Sequence, residues 1–120
     1  MRTRGALALA LLISACSTPA PPTLAASVSC APESRSLRQL CTVTLTDRST
    51  GRRLEGATVT LSADMPSMPL AHSVRPVTAT ARGGGAYSGV LELEMTGRWV
   101  ITTRVTGPVS DQITHTLEIQ

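Results

Sequence analysis

Apolar and polar positions alternate along most of the chain. In Leu40 to Thr46, LCTVTLT, Cys41, Val43 and Leu45 share one face and Thr42, Thr44 and Thr46 the other. Ala57 to Ala63, ATVTLSA, repeats this with Val59 and Leu61 inward. Ser73 to Ala81 is a weaker strand, and Pro76 places it at a sheet edge, because proline has no N–H for the ladder. Tyr87 to Met95 sets Tyr87, Leu91, Leu93 and Met95 against Glu92 and Glu94. Arg98 to Val105 turns Trp99, Ile101 and Val105 inward, and Ile113 to Ile119 does so with Ile113, Leu117 and Ile119. Turn signals separate these runs: DRSTG, RGGG, Thr96-Gly97 and Gly107-Pro108. A period of two, rich in Thr and Val, is the strand pattern. Turns at roughly 8–12-residue spacing predict a small all-β antiparallel sandwich of six or seven strands. Trp99 is its expected central aromatic, with surface recognition the other reading.

The first residues read differently. Arg2 and Arg4 precede the apolar run GALALALLI, which is too short for a stable membrane span. Small residues then lead to Cys16, and residues 1–15 are expected to be a secretory signal. The segment LISAC resembles the lipobox of bacterial lipoproteins, which implies cleavage before Cys16 and its diacylation. Plain secretion is the other reading. The lipid would hold the chain on the outer side of a bacterial membrane. Ser17, where an aspartate would favour inner-membrane retention, points to the outer membrane in a Gram-negative cell. Residues 16–28, the lipidated cysteine and a Pro/Ala/Ser/Thr stretch, are expected to be a flexible linker. Residues 29–120 form the domain.

Losing the signal changes the charge. The chain carries eleven basic residues, all arginine, against eight acids, and two of those arginines belong to the signal. A near-neutral domain with no basic patch interleaved with aromatics is not expected to bind nucleic acid. In an exported domain Cys30 and Cys41 are expected to form a disulfide. A metal or redox site is the other reading, though the pair lacks CxxC spacing.

Candidate chemistry concentrates in DMPSMPLAH, Asp64 to His72. No nucleophile elbow, triad order, carboxylate pair or phosphate-binding glycine loop stands out, so no enzyme is expected. Met65, Met68 and His72 instead lie three and four positions apart. Thioethers are soft ligands that favour Cu(I). Pro66 and Pro69 fix φ and restrict the residues before them, which would hold such a loop in one shape. Asp64 could offset the metal's charge. The competing reading is a core plug, since methionine adapts to irregular gaps. His115 alternates with Ile113 and Leu117 and is expected toward the apolar face, near the loop only if the last strand ends beside it.

The run MPSMPLAH, followed by GGGAYSGVLELEMTGRWVITTRV, resembles the YtkA-like family, related to FixH-like proteins. The family pattern is MPxM with a nearby His, then G-x-Y, then a strand ending M-x-G-x-W. It is met at Met65, Pro66, Met68 and His72, at Gly85 and Tyr87, and at Met95, Gly97 and Trp99, over about residues 38–120. The resemblance implies an immunoglobulin-like sandwich outside a membrane, associated with copper supply or cytochrome oxidase assembly. It further implies a copper site of Met65, Met68 and His72, with Met95 a possible fourth donor. A membrane protein or a copper-trafficking protein is the implied partner. Two features depart from the pattern: Pro69 and Leu70 stand where many relatives have Gly or Met, and a lipid replaces the transmembrane helix of FixH-like proteins. The alternative is a metal-free interaction module at the membrane surface.

Overall fold

The computed structural model describes residues 23–33, 37–68 and 73–120. The expected signal, Cys16 and the linker up to residue 22 lie outside the described residues. Eight strands follow one another: β1 (Leu24–Pro32), β2 (Arg38–Asp47), β3 (Thr58–Asp64), β4 (Ser73–Thr78), β5 (Thr80–Gly83), β6 (Ala86–Glu92), β7 (Gly97–Thr106) and β8 (Asp111–Ile119). They form two four-stranded sheets, ordered β1-β2-β6-β5 and β4-β3-β7-β8, and every pairing is antiparallel. The all-β sandwich is as expected, with eight strands in place of six or seven.

Both extra strands come from tertiary context. β1 takes in residues 24–28, expected to be linker. Its sequence LAASVSCAP has little apolar alternation, but it pairs with β2 along its whole length. The second comes from the run Ser73 to Ala81, which divides at Ala79. There the chain leaves the second sheet for the first, and the Ala79 N–H donates to the Val59 carbonyl at 2.8 Å. Pro76 does lie on an edge strand, where its missing N–H breaks no interior ladder.

The inward-facing positions make one core. Trp99 is fully buried, in one core with Val43, Leu45, Leu61, Leu91 and Ile101. Cys30 and Cys41 are opposite one another in the β1–β2 register and are joined by a disulfide. Closing so short a loop contributes about 3 kcal/mol by restricting the unfolded chain.

At the end of the sandwich where β1 begins, the 47–57 connection is pinned in three places. The Tyr87 hydroxyl donates to the Leu54 carbonyl at 2.8 Å and accepts from the Ala57 N–H at 3.2 Å. The Gly85 N–H donates to Glu55 Oε1 at 2.7 Å. Asp47 caps the turn, its carboxylate accepting from the Ser49 hydroxyl at 2.6 Å and the Ser49 N–H at 2.8 Å. These bonds, the hydroxyl's foremost, hold the Asp47 pKa below its ordinary value. The cap is therefore intact above the usual carboxylate range and is lost as pH falls through the lowered value.

Thr103 interrupts the apolar inward face of β7. It is buried, and its hydroxyl has no hydrogen-bond partner among the described residues. Thr103→Val keeps the branched shape and removes the unpaired group. It is expected to raise the unfolding free energy by about 1 kcal/mol, read by urea denaturation.

Candidate functional site

β3 runs past its last ladder residue without losing its alternation. Val59, Leu61, Ala63 and then Met65 are all buried, Met65 being 4% exposed. The chain turns there: the Met68 N–H donates to the Met65 carbonyl at 3.1 Å, with Pro66 in the second position of the turn. Proline suits that position because its φ is already correct. Pro66, Ser67 and Met68 project into solvent, with Met68 38% exposed. One tight turn therefore separates its two thioethers, one inside the core and one outside.

The M-x-G-x-W segment braces the inner methionine. Gly97 has φ +126°, and a Cβ there would lie 3.0 Å from the Met65 Cε. The glycine thus leaves the volume that the Met65 methyl abuts. Trp99 Nε1 donates to the Met95 carbonyl at 3.1 Å, which satisfies the buried indole. The Met95 side chain is half-buried and packs on the core.

Beside the turn is a depression of about 350 Å³ lined by Pro66, Ser67, Arg98 and Glu118. Arg98 Nε donates to Glu118 Oε1 across β7 and β8. That bond, and then the carboxylate's charge, raise the arginine's pKa further.

Of the sequence-predicted donors, Met65 is in the core, Met95 is half in it and Met68 is exposed. His72 lies outside the described residues. His115 shares the face of Ile113 and Leu117 by alternation, as expected, but is exposed. β8 does end beside the turn, since Ile119 pairs with Gly97. His115 is four residues earlier, about 13 Å back along the strand, so it does not reach the turn. Among the described residues no group of three or more His, Cys, Asp or Glu side chains comes together as a metal site.

The model of the YtkA-like family matches residues 32–104. The chain belongs to the YtkA-like family. None of the curated proteins and none of the solved structures matches it. Within this YtkA-like domain, the motif residues Met65, Gly85, Tyr87, Gly97 and Trp99 all act in packing or in pinning the backbone. Among the described motif residues, Met68 and Pro66 are left at the surface. Continued period two through Met65 and Met95 was the signal in the sequence that both turn inward.

Proposed function

We propose that this YtkA-like chain is a non-enzymatic binding module, held by a lipid on Cys16 at the outer side of a bacterial membrane, that docks a membrane partner through the Met68 turn. The observation that carries this reading is the division of labour in the turn. Met65 fixes it to the core, so Met68 is offered with little freedom left to lose. An exposed thioether on a rigid support suits an apolar contact that must adapt in shape. Position supports it too. Leu24, nearest the tether, is hydrogen-bonded to Asp111 at the start of β8, whereas the turn lies beside Ile119 at the far end. A nine-residue strand spans about 30 Å, so the tether leaves the turn clear.

A second reading has one observation in its favour. The thioether of Met68 is open to solvent, and His72 follows four residues later. Those two could hold Cu(I), for which thioether and imidazole are suitable donors. All four could act together only if Met65 left the core, on which Met95 also packs. On this reading the copper would be cargo for oxidase assembly or copper supply.

A photo-crosslinking residue in place of Met68 is expected to capture one discrete membrane protein in cells, while the same probe at Thr50, on the opposite end, captures none. Titration with Cu(I) against a competing chelator separates the readings. Docking predicts equal affinity in wild type and in Met68→Ala/His72→Ala. A clear loss of affinity in the double variant, with no crosslink, would replace docking with metal binding.

A further inference from the structure

The two sides of the sandwich are guarded differently. On one side the edge strands are β4 and β5. β4 carries Pro76 and a register shift against β3, and β5 is four residues long with a shift against β6. Short strands, prolines and bulges discourage a further strand from adding. On the other side the edges are β1 and β8. Each is nine residues long and pairs with its neighbour in unbroken register. β8 contains no proline, lysine or arginine.

β8 also reads almost alike in both directions. About His115, Thr114 mirrors Thr116, Ile113 mirrors Leu117 and Gln112 mirrors Glu118. In an antiparallel pair centred on His115, each residue would meet its mirror. Ile113 would face Leu117 on the inward side, and both are only partly buried in the single chain. Thr114 would face Thr116 on the outward side, where both are exposed. Gln112 accepts from Arg104 at 3.2 Å through its carbonyl oxygen, and its amide nitrogen would donate to Glu118 of the second copy. Self-complementarity of this kind is what a two-fold interface requires.

The other exposed edge shares part of this symmetry at the same height, although Ala26 and Cys30, and Leu24 and Pro32, do not match. In β1, Ser27 mirrors Ser29 and Ala25 mirrors Ala31 about Val28. The Leu24 N–H donates to Asp111 Oδ2 at 3.1 Å, so the two strands start together. Each centre comes four residues later, and one axis can pass close to both.

We propose that two copies of this chain associate edge to edge, β8 against β8 antiparallel, with a two-fold axis at His115. The second sheet then continues from one copy into the other. With that axis along the membrane normal, both tethers reach one surface and both Met68 turns face outward at the ends of the pair.

Cells expressing the full chain are treated with diamide, and the chain is examined on a non-reducing gel. Exposed His115→Cys is expected to give a band of doubled mass, because residue 115 meets itself on the axis. Thr114→Cys, which meets residue 116, is expected to give little. In the His115→Cys background, Thr114→Lys/Thr116→Lys sets like charges opposite one another and should abolish the band. Thr114→Lys/Thr116→Glu sets opposite charges there and should keep it. Both pairs alter only exposed positions, so folding does not confound the comparison. No doubled band from His115→Cys, an adduct with a different protein in its place, or a band unaffected by the two-lysine change would each overturn the proposal.

Discussion

Met65→Ala is expected to lower the unfolding free energy by about 3 kcal/mol, while Met68→Ala leaves it within about 0.5 kcal/mol. The two residues are three apart in one turn and share a side-chain chemistry, so the contrast isolates burial. Met65 closes the end of the core that Trp99 and Leu93 share, and its methyl abuts the space that Gly97 leaves open. Truncation would leave a cavity that a turn fixed by Pro66 and the Met68-to-Met65 hydrogen bond is poorly able to collapse. Met68 has no comparable packing to lose. Urea unfolding of both variants, followed by Trp99 fluorescence, reads the difference. Equal stability of the two would mean that Met65 does not plug the core, and would return it to the list of metal donors.

Gly85→Ala is expected to cost about 3 kcal/mol as well. Gly85 has φ +76°, which other residues adopt at a cost, and a Cβ there would lie 2.9 Å from the Arg53 Cβ and 3.0 Å from the Leu45 carbonyl oxygen. The residue cannot step aside easily. Its carbonyl accepts from Leu45 at 2.9 Å, and its N–H is tied to Glu55. Gly84 provides the control. Its φ is +63°, but a Cβ there would meet nothing within 4 Å. Gly84→Ala should therefore show the backbone cost alone, about 1 kcal/mol. Thermal or urea unfolding of the two alanine variants separates crowding from conformation, and a Gly85 variant no less stable than the Gly84 one would refute the close approach.

Five strands were legible because apolar residues alternate with polar ones in them, and the weaker run Ser73 to Ala81 was legible only as a single edge strand. Leu40 to Thr46 and Arg98 to Val105 need no partner to be recognised. β1 was not legible: alanine, serine and proline describe a linker as well as an edge strand, and what orders it is β2 and the Cys30–Cys41 bond. The break at Ala79 was hidden for a related reason, since a change of sheet depends on the position of the other strands. The Met-Pro segment was legible as a loop, and its residues alone favoured a core plug, the metal site resting on the soft donors together with the family resemblance. Alternation carried on through Val59, Leu61, Ala63 and Met65 favoured the plug for the inner methionine, and the exposure of Met68 needed the fold. His115 shows the limit of alternation. It has the inward parity of Ile113 and Leu117, but at an edge strand the facing side is only partly covered.

The disulfide between β1 and β2 also determines how the domain would bear a mechanical load. A pull on the segment before Leu24 enters through β1 and can unzip it from β2 one rung at a time. That peeling stops at Cys30, where the covalent link passes the tension to Cys41. β2 is still paired with β6 on its far side, so further extension must pull a second strand out of the sheet. Reduction would remove that stop and let the same pull strip β1 away entirely.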